Sequence, residues 1–106
     1  MILIFKGEYL NGKRWNGIGR EYDSENNLIF EGEYLNGKRN GKGIEYYVNG
    51  NFKFVGEYLD GKRHGKGNEY YDNGKILFEG EYLNGERNGN GKEYFDDGKF
   101  NIKLRR

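Results

Sequence analysis

The segment FEGEYLNGKRNGKGIEYY beginning at Phe30 returns as FVGEYLDGKRHGKGNEYY at Phe54 and as FEGEYLNGERNGNGKEYF at Phe78, a step of 24 residues each time. A chain that counts in this way must build every step from one supersecondary unit, and each unit can bury its apolar side only against its neighbours. An earlier copy starts at Phe5, 25 residues upstream, because one extra residue falls between Gly12 and Gly17; a partial copy begins near Ile102. Residues 1–106 are therefore expected to form a single repeat domain. Arrays of this kind present long surfaces, and such surfaces serve binding far more often than chemistry.

Composition narrows the reading further. A hydrophobic fraction of 34% beside 33% charged residues cannot fill a deep core, so apolar burial must be thin. The 10 Tyr, 7 Phe and 1 Trp carry most of it, each ring covering about 150 to 250 Å². The chain has no Cys, Thr, Ala, Pro or Gln, one Ser (Ser24) and one His (His64). Neither a Ser/His/Asp nor a Cys/His arrangement can be assembled from these residues, and a zinc site would have only His64 and carboxylates. An enzyme, a cofactor and a resident metal are not expected. The lack of cysteine suits a reducing cytoplasm. The MILIF start is too short for a secretory signal and aligns with Leu28 to Phe30, so it reads as a strand. No run approaches the ~20 apolar residues of a membrane-spanning helix.

Within the copy that starts at Phe30, Leu28 to Leu35 alternates with the period of a strand and runs into Asn36-Gly37. Asn-Gly between alternating segments signals a two-residue hairpin, whose type I′ turn needs positive φ at both centres. That loop makes Leu35 face Lys38, Tyr34 face Arg39, Gly32 face Gly41, Glu31 face Lys42 and Phe30 face Gly43. Phe30, Gly32, Tyr34, Gly41 and Gly43 then share one face, with the glycines as seats for rings. The same holds for Phe54, Gly56, Tyr58, Gly65 and Gly67, and for Phe78, Gly80, Tyr82, Gly89 and Gly91. Second turn signals follow at Asn49-Gly50, Asn73-Gly74 and Asp97-Gly98, with Asn26 in the glycine position of the first copy. The extra residue near Trp15 reads as a β-bulge, a binding role for Trp15 being the alternative. The expected architecture is all-β: an elongated single-layer antiparallel meander of repeated β-hairpins. About nine strands make a slab on the order of 40 Å long, and accumulated twist should wind it into a rod or gutter.

The spacing aromatic, Gly two on, aromatic two beyond, Gly three further and a closing Gly-x-Gly is carried by Phe30, Gly32, Tyr34, Gly37, Gly41 and Gly43. It recurs at Phe54, Gly56, Tyr58, Gly61, Gly65, Gly67 and at Phe78, Gly80, Tyr82, Gly85, Gly89, Gly91. This pattern resembles the MORN repeat, and the Glu69 to Ile76 segment is similar to the variant MORN-type repeats of bacteria and protists. The resemblance implies a non-catalytic role in protein interaction, scaffolding or membrane-junction organisation. It also brings phosphoinositide binding, proposed for some members, and an antitoxin role among some bacterial relatives. It would place the protein in the cytoplasm, at the periphery of a membrane or the cytoskeleton.

Net charge is only +1, but its distribution is uneven. The turns should bring Lys13, Arg14, Lys38, Arg39, Lys62, Arg63 and Arg87 to one long edge, while Glu21, Asp23, Glu25, Asp72, Asp96 and Asp97 gather toward the other. One reading has the basic residues pair with neighbouring glutamates such as Glu33 or Glu57 and keep a thin sheet soluble. The sharper reading has them meet the phosphates of lipid headgroups or an acidic partner, each cation adding about 1 kcal/mol against an anionic leaflet, with Glu86 interrupting the row. Nucleic acid is not expected, since the cations are a whole repeat apart and the rings are committed to glycines. His64 replaces Asn40 and Asn88 and reads as a solvated residue near a turn. The pairs Tyr46 and Tyr47, Tyr70 and Tyr71, and Tyr94 and Phe95 put one ring on each face. One of each pair should be partly exposed, making this stripe the candidate surface for a protein partner. Ile2, Leu3 and Ile4 at one end and Phe100, Ile102 and Leu104 at the other alternate like open edge strands. With Lys103, Arg105 and Arg106 as gatekeepers, the expectation is a weak end-to-end homodimer.

Overall fold

At the first turn of the copies that begin at Phe30, Phe54 and Phe78, both central residues lie at positive φ: 53° and 78° at Asn36 and Gly37, 50° and 87° at Asp60 and Gly61, 52° and 88° at Asn84 and Gly85. This is the type I′ geometry whose twist matches that of the flanking strands. The second turn is built differently. The Gly50 amide donates to the Tyr47 carbonyl at 2.9 Å and the Tyr47 amide to the Asn51 carbonyl at 2.9 Å, with Gly50 at φ 89°. A type I turn closed by a left-handed residue has this pattern. Asn26, at φ 69°, takes the glycine's place in the first copy.

The computed structural model describes the backbone of residues 2–10 and 13–104 and the side chains of residues 16–104. Nine strands follow one another: β1 (Ile2–Leu10), β2 (Lys13–Tyr22), β3 (Leu28–Leu35), β4 (Lys38–Tyr46), β5 (Phe52–Leu59), β6 (Lys62–Tyr70), β7 (Ile76–Leu83), β8 (Glu86–Tyr94) and β9 (Phe100–Leu104). They form one antiparallel sheet in sequence order, and no helix occurs among the described residues. The side chains of Ile2, Leu3, Ile4, Lys13, Arg14 and Trp15, and residues Arg105 and Arg106, lie outside what is described.

The register departs from the expected one beyond the turn. Tyr34 faces Arg39 and Leu35 faces Lys38, as the Asn-Gly loop requires, but Gly32 then faces Gly43, Glu31 faces Ile44 and Phe30 faces Glu45. Two extra residues of β4 therefore bulge opposite Glu33. Gly41 bends the chain there at φ 96°, and the Lys42 amide that the bulge would orphan donates to Glu33 Oε1 at 2.8 Å. The β5–β6 hairpin repeats the device, with the Lys66 amide donating to Glu57 Oε1 at 3.1 Å. An even number of extra residues leaves the faces unchanged. In β1–β2 the register runs from Glu8 facing Asn16 to Tyr9 facing Arg14, skipping Trp15, so the extra residue of the first copy is a bulge.

Gly41, Gly65 and Gly89 are thus not ring seats. A Cβ on any of them would meet Glu33, Glu57 or Glu81 instead of an aromatic ring. The seats form a separate row, because Gly32 pairs with Gly43, Gly43 with Gly56, Gly56 with Gly67, Gly67 with Gly80 and Gly80 with Gly91. Phe30, Phe54 and Phe78 lie on this row and are fully or almost fully buried. A Cβ on Gly67 would sit 2.5 Å from both Cε1 and Cζ of Phe54, so the ring occupies the space that any other residue would fill. Between these rings stand Tyr34, Tyr58 and Tyr82. Phe54 meets Tyr58 of its own repeat edge-on at 5.6 Å between ring centres and Tyr82 of the next at 5.1 Å. Burying each Phe stabilises by roughly 1.5 to 3 kcal/mol, and each edge-on pair adds about 0.5 to 1.5. A single layer acquires a core by laying its rings on its own backbone.

The molecule measures 47 × 31 × 15 Å, longest in one direction as a single layer of nine strands should be. Twist swings the ends of successive strands apart, and here both edges are tied. On one edge Tyr47 and Tyr71 hydroxyls donate to the carbonyls of Tyr70 and Tyr94 at 2.7 Å, and Asn49 and Asn73 amides to those of Asp72 and Asp96 at 2.8 and 2.9 Å. On the other, the amides of Gly61 and Gly85 donate to the carbonyls of Arg39 and Arg63 at 2.8 and 2.9 Å. Repeated ladders of this sort limit how far twist can accumulate.

Candidate binding face

Alternation along the strands gives the sheet an inner face, which carries the glycine-seated rings, and an outer face. The inner face is chemically closed. Over each Phe lies a guanidinium: the Cζ of Arg39, Arg63 and Arg87 stands 3.9, 4.3 and 4.2 Å from the ring centres of Phe30, Phe54 and Phe78. Because of the two-residue bulge, Glu45 falls opposite both Phe30 and Phe54. There it accepts from Arg63 Nε at 2.9 Å and Nη2 at 3.1 Å and from the Tyr58 hydroxyl at 2.6 Å. Glu21 takes Arg39 and Tyr34, and Glu69 takes Arg87 and Tyr82, in the same way.

Each of these triads shifts its own titrations. Burial alone would raise the Glu45 carboxyl, but the hydrogen bonds from Arg63 and Tyr58 outweigh it and hold the group below the usual carboxylate range; Glu69 is lowered likewise by Arg87 and Tyr82. Burial and the carboxylate partner push the Tyr34, Tyr58 and Tyr82 hydroxyls well up. Burial would lower Arg63, but its bond to Glu45 raises it, so it stays charged. Among the described residues no buried side-chain nitrogen or oxygen lacks a hydrogen-bond partner.

The basic edge therefore divides. Arg39, Arg63 and Arg87 fold onto the inner face and are spent on Glu21, Glu45 and Glu69, and not on Glu33 or Glu57. Glu21, expected at the acidic edge, is instead buried beside Arg39. Lys38 and Lys62 remain at the turns, exposed and without an ion pair among the described residues. Asp72, Asp96 and Asp97 are exposed at the opposite edge; Asp23 is turned onto its own loop, and the Asn27 and Glu25 amides each donate to its Oδ1 at 2.9 Å.

The aromatic pairs also divide. Tyr46, Tyr70 and Tyr94 lie half-buried on the outer face, whereas Tyr47 and Tyr71 clasp the next repeat and Phe95, without a hydroxyl, is 51% exposed. Two further rings join this face: Phe52, which the sequence pattern did not single out, and Phe100, expected only as part of an open edge strand. A one-residue register shift after the second turn sets Phe52 against Tyr46 and Phe100 against Tyr94, at ring distances of 5.8 Å, and Phe52 also reaches Tyr70 at 5.9 Å. Phe52 and Phe100 are 44% and 54% exposed. Leu35, Leu59 and Leu83, next to the Asn-Gly or Asp-Gly turns, form a second exposed apolar row. Between the two rows the outer face carries an alternating ladder of Glu33, Lys42, Glu57, Lys66 and Glu81. A groove of about 650 Å³ crosses it, floored by Gly67, Gly80 and Gly91 and walled by Lys66, Glu79, Glu81, Lys92 and Lys103. Its walls carry both signs of charge.

His64 is half-buried in the column of Asn16 and Asn40, whose side-chain oxygens accept the amides of Asn36 and Asp60 in the next turn at 3.0 and 3.3 Å. No group of three or more metal-ligating side chains clusters among the described residues, and no helix is long and apolar enough to cross a membrane.

No curated protein matches the chain. The family model described as MORN repeat matches three times, at residues 30–52, 54–76 and 78–100, which together cover more than half of the sequence. MORN repeats are non-catalytic modules associated with protein and membrane interaction. A glycine-seated aromatic core repeated in step with those three matches is the physical content of the pattern, and the chain belongs to the MORN repeat family.

Proposed function

We propose that this protein is a binding and scaffolding module that takes a protein partner on the outer face of its sheet. The observation that carries the reading is the contrast between the faces. The inner face has satisfied its rings, arginines and glutamates, whereas the outer face leaves Phe52, Phe100 and the leucines of the turn edge 44 to 54% exposed beside half-buried tyrosines. Rows of partly exposed aromatics rimmed by charge are what protein interfaces use. Binding of anionic headgroups through the basic edge has less support, since Arg39, Arg63 and Arg87 are already paired with carboxylates.

The two chemistries separate by salt and by side chain. A partner captured from the source organism should persist at 0.5 M salt and be lost from Phe52→Glu. Flotation of the protein with phosphoinositide-containing liposomes at low salt, abolished by Lys38→Glu with Lys62→Glu and unaffected by Phe52→Glu, would overturn the reading.

A further inference from the structure

We infer that the outer face also binds a second copy of this chain, the two plates stacking about a two-fold axis that runs parallel to the strands between β4 and β5. The proposal rests on the same face as the partner-binding reading and names one occupant for it.

Turning a sheet over about such an axis keeps each transverse row against itself and reverses strand order, so β4 meets β5 of the second copy and β3 meets β6. In the charged ladder this sets Lys42 against Glu57 of the second copy, and Glu33 against Lys66 of the second copy. Each contact occurs twice, and every one joins opposite signs. In the neighbouring row, Ile44 falls on Val55 of the second copy; in the aromatic row, Tyr46 falls on Phe52 of the second copy. Ile44 and Val55 are half-buried in the single chain and directly paired across β4 and β5, so they form one apolar spot on the axis.

The position of the axis is selective. Moved one strand on, between β5 and β6, it would set Val55 on Asn68 and Ile44 on Glu79, burying a carboxylate against apolar groups at a cost. The axis between β4 and β5 keeps opposite charges together at its centre and sets the Ile44 and Val55 spot on itself; its mismatch falls three strands out, where the exposed Ile18 meets Glu81 of the second copy. Size and shape allow it as well. The plate presents a face of 47 × 31 Å, and a stable interface needs about 800 Å² from each partner, so a little over half of the face suffices. Two sheets packed face to face lie about 10 Å apart.

The test is the mass in solution by light scattering and sedimentation from micromolar to millimolar concentration. It is made on the full chain, Lys42→Glu, Glu57→Lys and the double variant, with thermal melts to show that each is folded. The expected result is a dimer whose dissociation constant rises at least tenfold in either single variant and returns toward the parent value in the double variant, where the charges are exchanged. A parent protein that stays monomeric overturns the proposal, as does a dimer whose affinity is the same in both single variants. An end-to-end dimer would behave in the second way and would instead be lost on Ile102→Lys. None of these failures touches the binding of a different protein, which is read by capture with Phe52→Glu.

Discussion

Tyr58 donates its hydroxyl to Glu45 across 2.6 Å, and in doing so ties one repeat to the one before it. Arg63 approaches the same carboxylate through two nitrogens, so a single side chain from β4 holds the tyrosine and the arginine of the following hairpin. Removing that charge leaves the guanidinium over Phe54 with only Glu69, 3.9 Å away, as counter-ion. Glu45→Gln should therefore cost about 2 to 4 kcal/mol in urea unfolding. Glu31→Gln, whose partner Arg20 is 57% exposed, should cost under about 1 kcal/mol. Equal costs for the two would mean that the inner triads are as solvated as the outer pair.

Gly67→Val should destabilise by several kcal/mol, because its first side-chain carbon already lands on the Phe54 ring. Gly50→Ala is the comparison: no atom lies within 4 Å of the added Cβ, and only the left-handed backbone resists it, a cost of about 1 to 2 kcal/mol. Thermal melts of both check the ring seat. A Gly67→Val protein that melts like the parent would place Phe54 elsewhere.

Stability should form a plateau across neutral pH and fall on both sides for different reasons. Glu45 and Glu69 titrate lower in the folded protein than in the unfolded chain. Their contribution is complete above the unfolded value of about 4.3 and is lost as pH falls through the folded values. Tyr34, Tyr58 and Tyr82 titrate higher when folded, so their contribution is complete below about pH 10 and is lost as pH rises through the folded values. Melting temperature against pH measures both limbs. Tyr58→Phe should lower the plateau by about 1.5 to 3 kcal/mol and make the alkaline limb shallower, and an unchanged limb would mean that this hydroxyl does not sense folding.

His64→Asn should stabilise. Asn16 and Asn40 each cap an amide of the next turn, while no hydrogen bond joins His64 to the Asn84 amide among the described residues. Restoring a carboxamide there should add about 0.5 to 1.5 kcal/mol, or several degrees in a domain of this size. A lower melting temperature would show that the imidazole packs better than the cap it displaces.

Much of this was legible in the chain, and the parts that were not share a cause. Asn36-Gly37 fixes the loop and the first two pairs, and alternation fixes the faces, so strand order and the burial of Phe30 and Tyr34 follow from local chemistry. The bulge does not. Gly41 suits a ring seat and a left-handed bend equally well, since both demand the absence of a Cβ. What decides is that Glu33 can cap the amide that the bend would orphan, a cooperation between strands that no dipeptide announces. The arginine partners were hidden by the same step. In the unbulged register Glu45 would face Leu28, and only the two-residue offset sets it opposite Phe30. Phe52 was missed because the second turn shifts the register by one residue, which turns an apparently buried alternation toward solvent.

The glycine row has a further consequence, one of measurement. It runs through β3 to β8 with one seat per strand, and since each repeat spans two strands, equivalent side chains on either face are separated by two strand spacings, ~10 Å, an interval that the edge clasps keep from drifting. The sheet is in effect a graduated rule whose marks are Tyr46, Tyr70 and Tyr94. A partner that reads several marks at once must carry the same interval, and adding or removing a 24-residue repeat would change the span in ~10 Å steps while leaving the chemistry at each mark as it was.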